Sequence, residues 1–247
     1  MSRLRAILSK SAINNPHTAS AGLWLADVSS LQDEEVAFFI SCLSSNEVDR
    51  YYAFLRRERQ LQFLLGRILV RFAVAELLGL RPDEVSLIEQ LGNAPRLVLP
   101  DDEQPMPGFS ISHSREWVGC AVSAGTLLGL DIESTKPNRN FMEIGRLAFH
   151  AEELLWLQAQ TESESPALFY KIWSRREALF KLRSTSAGQG STASLSKVNC
   201  LQLSMEEEHF SDLPHPAVSI AICSKQLLSE LIYKECRIQD LFRGFKK

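Results

Sequence analysis

Hydrophobic residues along the chain follow two kinds of spacing that alternate in order. In the first half, Gly22–Val28 alternates like a short strand, and apolar residues recur at helical spacing from Ser45 to Leu80. The long segment predicts one helix, or two helices joined near Arg59, and Gly79 is expected to end it. Four short apolar segments then predict strands, in the order LVLP, FSISHS, WVGCAVS and LLGLDIE.

The second half repeats a similar order of segments. Helical spacing predicts two short helices in MEIGRLAF and AEELLWLQAQ, and a longer helix from Ala167 to about Leu182. The polar stretch RSTSAGQGSTASLS predicts a flexible loop, and KVNCLQLSM, SIAICS and LIYKECRIQ predict strands. We therefore expect an α+β fold of two similar halves. A polar N-terminal extension would cover residues 1–20, the N-terminal half 21–123 and the C-terminal half 124–247.

Composition narrows the class of protein. With 247 residues, 45% of them hydrophobic and 23% charged, the chain can bury a substantial core, which argues against a disordered protein. The net charge of −3 does not favour a protein that coats nucleic acid. Five scattered cysteines without a CxxC pair indicate neither a disulfide framework nor a structural zinc site, and they fit a reduced, cytoplasmic setting. No apolar run reaches the roughly 18 residues of a membrane helix, so we expect no membrane segment.

The apolar run LLGLDIE ends in two acids, Asp131 and Glu133. Side chains i and i+2 point to the same face of a strand, so the two carboxylates project together while Leu130 and Ile132 face the other way. Two such carboxylates repel each other unless a cation or a proton lies between them. Oxygen ligands without a nearby His or Cys favour Mg²⁺, which takes one or two carboxylates plus substrate phosphates. The structural alternative is a solvated strand end that leads into a turn.

The predicted helix ALFYKIWSRREALFKL carries Glu177 and Lys181 four residues apart, hence on one face. Such residues commonly form only an intrahelical ion pair, which contributes about 0.2–0.5 kcal/mol. The alternative is a third carboxylate ligand for the metal and a lysine that neutralises a phosphate. Together with Asp131 and Glu133, that alternative describes a site for magnesium and a diphosphate.

The strand FSISHS has one apolar and one hydroxyl face, and His113 lies near its end. A histidine in such a position is commonly structural. Alternatively, Ser112, His113 and Ser114 offer several hydrogen-bond donors at a turn, which makes them a candidate contact for phosphate.

Taken in order, FSISHS, LLGLDIESTKP and WSRREALFK resemble the motif set of the Sfp-type 4′-phosphopantetheinyl transferases. The family pattern is NxSHS, then GxDxE, then W(S/T)xKEAxxK, and the resemblance extends from about GLWLADV to SIAICS. It implies a pseudo-dimeric α+β fold with the active site between the two halves. It also implies an enzyme that moves the phosphopantetheine arm of coenzyme A to a serine of an acyl, peptidyl or aryl carrier protein and releases adenosine 3′,5′-bisphosphate.

The resemblance implies catalytic and metal-binding roles for four residues. Asp131, Glu133 and Glu177 would bind Mg²⁺ on the coenzyme A diphosphate. Glu177 is also the candidate general base that accepts the serine proton. Lys181 would neutralise the diphosphate as charge develops on the leaving oxygen.

The resemblance also implies contacts with coenzyme A. Arg50, Ser112, His113 and Lys181 would hold its phosphates. Glu152 falls where the family often has an acid that positions a water or the base.

Several positions depart from the family pattern. The family's GKP lysine is missing from Gly92–Pro95, unless Arg96 replaces it. Arg176 stands where a lysine precedes the catalytic Glu, and Gln62 and Phe63 stand where Arg and Thr can occur. These differences predict an intact metal site and a weaker grip on the nucleotide.

Other functions stay open at this stage. A Mg²⁺-dependent hydrolase of a nucleotide diphosphate could use the same acids and lysine, and a degenerate relative could bind coenzyme A or a carrier protein without turnover. We expect a monomer, since one chain supplies both halves, and no nucleic-acid partner. A basic helical segment is either a solvated face or, in part, a surface that steers an acidic carrier protein. Its members are arginines 50, 56, 57, 59, 67 and 71.

Overall fold

The structure is a computed structural model that describes residues 18–90, 95–101, 105–135, 140–186, 198–201, 204–205 and 208–246. Its strands are β1 (Thr18–Asp27), β2 (Ser86–Ile88), β3 (Arg96–Val98), β4 (Gly108–Ser114), β5 (Trp117–Ser123), β6 (Leu128–Ser134), β7 (Ser204–Met205), β8 (Glu208–Leu213), β9 (Val218–Ser224) and β10 (Leu227–Glu235). Its α-helices are α1 (Asp33–Ser41), α2 (Ser45–Ala53), α3 (Arg57–Leu78), α4 (Phe141–Ala148), α5 (Ala151–Gln158), α6 (Ser165–Ser186) and α7 (Ile238–Phe245). No helix of the described part of the chain combines the length and apolar character that a bilayer crossing requires.

Two four-stranded sheets carry the fold. Their strand orders are β10-β1-β5-β4 and β6-β9-β8-β7, and a small β2-β3 ribbon lies apart from them. The segment β1-β5-β4 of the first sheet corresponds to β6-β9-β8 of the second, and all of these neighbours pair antiparallel. A helix of 22 residues follows the first strand of each set, α3 in one half and α6 in the other. The expected α+β fold of two similar halves is confirmed.

The sequence boundaries and the spatial halves do not coincide everywhere. Strand β10 belongs to the second half of the sequence, yet it pairs parallel with β1 and completes the first sheet. Strand β1 begins at Thr18, so the last three residues of the expected extension 1–20 belong to it, and residues 1–17 lie outside the described residues. The expected boundary between the two halves, at residues 123/124, lies at the start of the connection between β5 and β6. This boundary stays a prediction.

The long helical segment of the first half forms two helices, as one of the two alternatives predicted. The break lies at residues 54–56, slightly before Arg59. Helix α2 begins with a reciprocal capping box between Ser44, which is the N-cap residue, and Glu47. Helix α3 ends at Gly79, which takes the left-handed conformation with φ 73° that a C-terminal glycine allows.

Two strand predictions near the C-terminus were partly wrong. In KVNCLQLSM the described residues contain only the two-residue strand β7, because polar groups around Cys200 bond to side chains instead of to a strand. The Cys200 amide donates to Glu153 at 2.5 Å, and its carbonyl accepts from Arg175 at 2.9 Å. In LIYKECRIQ the strand stops at Glu235, and α7 then buries Ile238 and Leu241 in the first-half core.

Helix α6 extends past its expected end at about Leu182, to Ser186. The first residues of the expected loop RSTSAGQGSTASLS are therefore helical. Residues 187–197 of that loop lie outside the described residues.

Candidate active site

Strand β6 carries Asp131 and Glu133 where the two sheets meet. Its apolar face, Leu130 and Ile132, packs in the core with residues of β1 and β5 such as Leu23. The acidic face is turned the other way, as strand alternation requires. Asp131 is only 5% exposed, so its carboxylate is not the solvated strand end of the structural alternative.

Gly129 brings helix α6 onto the acidic face of β6. A Cβ atom at this position would lie 2.0 Å from the Ala178 carbonyl oxygen and 2.6 Å from the Leu182 amide nitrogen. Only glycine permits so close an approach. Because Gly129 and Asp131 are two residues apart on one strand face, the same approach places the side chains of Glu177 and Lys181 over the acids.

Lys181 crosses from α6 to β6 and does not pair with Glu177. Its ammonium nitrogen lies 2.9 Å from the Asp131 Oδ1 atom, 2.9 Å from the Ser112 hydroxyl and 2.9 Å from the Leu130 carbonyl oxygen. Three acceptors match the three N–H groups of an ammonium ion. Instead of an ion pair within the helix, Lys181 thus makes hydrogen bonds that connect α6 with strand β6 and with strand β4 of the first sheet.

The Ser112 hydroxyl is fully used inside the site. It donates to Asp131 Oδ1 at 3.1 Å and accepts from the Ile132 amide at 3.2 Å, besides the bond from Lys181. A hydroxyl has one proton, so a bond from Ser112 to a phosphate oxygen would require that proton to leave Asp131. The phosphate contact predicted for Ser112 stays a prediction.

The second oxygen of Asp131 is available for a cation. Asp131 Oδ2 is buried and has no hydrogen-bond partner in the described part of the chain. The Ser174 hydroxyl on α6 is likewise buried without a hydrogen bond of good geometry, yet it lies close enough to Asp131 to lower the pKa of that carboxyl against the larger effect of burial. A buried carboxylate oxygen without a partner is costly unless a ligand or ion satisfies it.

The donor set fits a magnesium ion held partly by substrate. Within the residues described, no three His, Cys, Asp or Glu side chains are grouped as a complete metal site. Mg²⁺, however, commonly uses one or two carboxylates and takes its other ligands from phosphates and water. The carboxylates of Asp131 and Glu133 fit that requirement, and the assignment of Asp131, Glu133 and Glu177 as metal ligands stays a prediction.

Glu177 lies above the two strand acids. No described residue forms a hydrogen bond or ion pair with its carboxylate. Burial raises the pKa of Glu177, and the negative charges of Asp131 and Glu133 raise it further, against the opposing charge of Lys181. Burial also raises the pKa of Asp131, although Lys181 and Ser112 act in the opposite direction. A raised pKa makes Glu177 a better proton acceptor than an ordinary glutamate.

His113 contacts Arg59, which the sequence pattern placed only in the basic helical segment. The Arg59 guanidinium on α3 contacts the His113 ring, with 3.1 Å between Arg59 Nη1 and His113 Nδ1. Desolvation and then the positive charges of Arg59 and Lys181 lower the pKa of His113 to about 4. Arg59 also donates to Gln62 at 2.8 Å, three residues later on the same helix face. No local sequence pattern predicted this contact, although Gln62 stands where the family can have an arginine.

The arginines of the predicted basic segment do not form one surface. Arg67 and Arg71 are buried, and Arg71 makes a two-point ion pair with Glu47 at 3.0 and 2.6 Å. Burial alone would raise the pKa of Glu47, but the bonds from Arg71 and Ser44 hold it below its ordinary value. Arg50, expected to meet a phosphate, is ion-paired with Glu89 at the surface. Because Arg67 and Arg71 are buried, they form neither a solvated helix face nor a surface that steers a carrier protein.

Glu152 and Arg176 lie beside the site rather than in it. Glu152 is exposed and accepts from Asn199 at 2.6 Å, so its predicted role near the base stays a prediction. The next residue, Glu153, is buried and pairs with Arg176, which also stacks over Phe149. Arg176 therefore anchors helix α6 to helix α5.

The repeated halves and the acid–lysine cluster at their junction define the class of duplicated α+β proteins to which the phosphopantetheinyl transferases belong. Residues 127–234 match the family model "4′-phosphopantetheinyl transferase superfamily", and residues 30–125 match "4′-phosphopantetheinyl transferase, N-terminal". The 4′-phosphopantetheinyl transferase psf-1 of Bacillus pumilus is 30% identical over 203 residues, which are 79% of this chain and 83% of the relative. The chain belongs to the 4′-phosphopantetheinyl transferase superfamily.

Two further relatives come from Bacillus subtilis. The 4′-phosphopantetheinyl transferase Sfp of strain 168 is 32% identical over 151 residues, or 61% of this chain and 64% of the relative. Another 4′-phosphopantetheinyl transferase is 31% identical over 152 residues, or 61% of this chain and 62% of the relative. The match thus spans less than two thirds of the length of these two relatives. The Sfp-type resemblance of the motifs is confirmed.

Proposed function

We propose that this protein transfers the 4′-phosphopantetheine arm of coenzyme A to a serine of an acyl, peptidyl or aryl carrier protein and releases adenosine 3′,5′-bisphosphate. The observation that carries the proposal is the cluster of Asp131, Lys181 and Glu177 at the junction of the halves. A buried acid with one unpartnered oxygen, a cation and a carboxylate of raised pKa are the groups that such a transfer needs. Membership of the superfamily supports the same reaction.

The proposed proton acceptor is Glu177. As the carrier serine approaches, its hydroxyl proton passes to a carboxylate oxygen of Glu177, and the serine oxygen bonds to the phosphorus that bears the pantetheine arm. The bond from that phosphorus to the bridging oxygen breaks, and adenosine 3′,5′-bisphosphate leaves with the electron pair. A positioned base of this kind contributes roughly 10²- to 10⁴-fold to the rate.

Lys181 acts on the leaving group through its charge. Its three N–H groups are already bonded, so it offers the cleft a fixed positive charge. That charge lowers the free energy of the developing anion without reorganisation during the reaction. A bound Mg²⁺, held by Asp131 and Glu133 and, as we propose, Glu177, would neutralise further charge on the diphosphate.

Arg59 and His113 offer a second binding contact for a phosphate group of coenzyme A. The Arg59 guanidinium contacts His113 and is therefore a candidate to bind a phosphate of the nucleotide. Arg50, the residue first expected there, is instead ion-paired with Glu89. A guanidinium beside an imidazole suits a phosphate oxygen. This pair offsets the loss of the lysine that the family places in GKP.

Intact-mass spectrometry of apo carrier proteins tests the proposal. Each carrier is incubated with the protein, coenzyme A and Mg²⁺, and an EDTA sample is the control. The proposed function predicts a metal-dependent mass gain of one phosphopantetheine group on at least one carrier. No gain on any carrier, with coenzyme A still bound in calorimetry, would identify a binder without turnover. Cleavage of coenzyme A without a carrier would identify a hydrolase.

We propose further that the protein works as a monomer, because one chain supplies both halves of the site. We also propose that it is cytoplasmic, because its five scattered cysteines fit a reduced setting. Light scattering coupled to gel filtration checks the mass, for which a monomer has 27.8 kDa.

A further inference from the structure

A row of serine side chains joins the two sheets at a place where the described strands form no main-chain ladder. Strand β4 is the edge of the first sheet and β6 the edge of the second, and they lie side by side. Alternate serine hydroxyls of β4 accept hydrogen bonds from alternate amides of β6. The three bonds run from Leu130 to Ser110 at 2.9 Å, from Ile132 to Ser112 at 3.2 Å and from Ser134 to Ser114 at 3.0 Å. We call these serines the serine row.

Two members of the serine row also hold a carboxylate. Ser112 donates to Asp131 Oδ1 at 3.1 Å, and Ser114 donates to Glu133 Oε2 at 3.1 Å. In each case the acid immediately precedes the residue whose backbone amide donates a hydrogen bond to the same serine. Ser110 makes the same amide bond, but the residue before its partner is Gly129, which has no side chain.

We propose that Ser112 and Ser114 are positioning residues that aim the carboxylates of Asp131 and Glu133 at a divalent cation. Only the identification of that cation as Mg²⁺ on coenzyme A rests on the proposed function. One oxygen of each acid is held by a serine of the opposite sheet. For Asp131, this leaves the buried, unpartnered Oδ2 atom for the cation.

The arrangement links metal affinity to the alignment of the two halves. A carboxylate that is held in place loses less side-chain entropy when it binds a metal. Since the serines belong to the first sheet and the acids to the second, a shift of one sheet against the other would turn both acids away. Such outer partners of ligating carboxylates typically change metal affinity by 10- to 100-fold when removed.

The test compares three nearly isosteric variants of the full chain. Ser112→Ala and Ser114→Ala each remove one amide bond and one carboxylate bond. Ser112→Ala also removes the bond from Lys181, so Ser114→Ala is the cleaner of the two variants. Ser110→Ala removes only the amide bond and is the matched control. Binding of Mn²⁺, used in place of Mg²⁺, is measured by electron paramagnetic resonance with the metal alone and again with saturating coenzyme A and no carrier protein.

We expect Ser112→Ala and Ser114→Ala to weaken Mn²⁺ binding by on the order of 10-fold, and Ser110→Ala to leave it unchanged. Ser114→Thr, which keeps the hydroxyl, is expected to restore affinity. The loss of Tm should be smallest in Ser110→Ala, larger in Ser114→Ala and largest in Ser112→Ala, because these variants lose one, two and three hydrogen bonds, respectively.

Three results would overturn the inference. One is unchanged Mn²⁺ affinity in both Ser112→Ala and Ser114→Ala, and another is an equal loss in all three alanine variants, which would make the row purely structural. The third is wild-type protein that binds no Mn²⁺ in either condition. Failure of the proposed function is a separate result, namely wild-type protein that binds Mn²⁺ but modifies no carrier.

Discussion

At the scale of single residues, the site is organised around the carboxyl group of Asp131. One of its oxygens bonds to Lys181 and Ser112, and the other is buried without a partner in the described part of the chain. Burial raises its pKa and that of Glu177 nearby, so the folded protein bears a free-energy cost to keep several acids ionised together. Such a cost is typical of functional sites.

Glu177→Gln is expected to abolish transfer and to stabilise the fold at neutral pH. The pKa of Glu177 is raised on folding, so the stability that its neutral form contributes is present at low pH and is lost as the pH rises through the folded-state pKa. Gln stays neutral and avoids that loss. Each kcal/mol of relieved repulsion should raise Tm by about 2–4 °C.

Thermal unfolding between pH 4 and 8 measures this effect. The Tm difference between Glu177→Gln and wild type should be largest at pH 8 and shrink as the pH falls. Glu162→Gln, an exposed acid before α6, is the control. A Tm difference that is independent of pH, or transfer at the wild-type rate, would remove Glu177 from its assigned role.

Lys181→Met is expected to destabilise the protein because it leaves the Asp131 carboxylate without its cation. Breaking a fully buried ion pair costs about 3–5 kcal/mol, and the partial exposure of Lys181 should reduce this to about 1–3 kcal/mol. The double variant Asp131→Asn/Lys181→Met should recover most of that loss. Urea unfolding of the four proteins in this cycle gives the coupling energy, and purely additive effects would show that the pair is not coupled.

Arg59→Gln is expected to weaken coenzyme A binding about 10-fold or more, as the loss of a charged hydrogen bond implies. It should also raise the pKa of His113 above its value of about 4, because one of the two nearby positive charges is gone. Calorimetry gives the affinity, and NMR titration of the ring gives the pKa. Arg56→Gln, an exposed arginine next to the start of α3, is the control. Equal affinity for the Arg59→Gln and Arg56→Gln variants would contradict the assignment.

The site residues that could be predicted from the sequence all follow from local periodicity. Strand alternation placed Asp131 and Glu133 on one face, and helical spacing placed Glu177 and Lys181 on one face. Partners across the fold gave no such signal. The contact of Arg59 with His113 spans 54 positions and depends on how α3 packs against the first sheet.

At the scale of elements, the distance between helix α6 and strand β6 decides whether the site exists. That distance is set by Gly129, whose absent side chain lets the helix backbone touch the strand. The sequence pattern predicted both elements correctly in type. It could not predict their separation, since periodicity reports which face is apolar and not how close two elements lie.

Gly129→Ala is expected to push α6 away from β6. The added methyl group would lie 2.0 Å from the Ala178 carbonyl oxygen, so backbone must move, at a cost of about 1–3 kcal/mol or more. Transfer should fall with it, because Glu177 and Lys181 move together. Gly125→Ala is the matched control, since its nearest neighbour, the Ala19 Cβ atom, lies 3.5 Å away. Comparable Tm values for the two variants would refute the close-approach argument.

Other elements show why sequence patterns failed in places. Helix α7 follows β10 after a short connection, and its apolar residues resemble the end of a strand. Its interior partners are the phenylalanines of α1, with Phe38 and Phe242 ring centroids 4.8 Å apart. That packing joins residues more than 200 positions apart, which no local pattern reports.

At the scale of the whole molecule, duplication creates a junction that neither half has alone. The first sheet contributes Ser112 and His113, and the second sheet with α6 contributes the acids and Lys181. Strand β10 ties the C-terminal part of the chain into the first sheet, which resists separation of the halves. The sequence predicted two similar halves from the repeated element order, but not this exchange of a strand.

The most direct measurement is the stoichiometry of the transfer. Released adenosine 3′,5′-bisphosphate is quantified by chromatography in the same samples in which the modified carrier protein is quantified by intact mass. We expect a ratio of about one throughout the time course, with neither product formed without the carrier serine, and transfer lost in Glu177→Gln. Bisphosphate released without a modified carrier, or full transfer by Glu177→Gln, would contradict the proposed chemistry of this site.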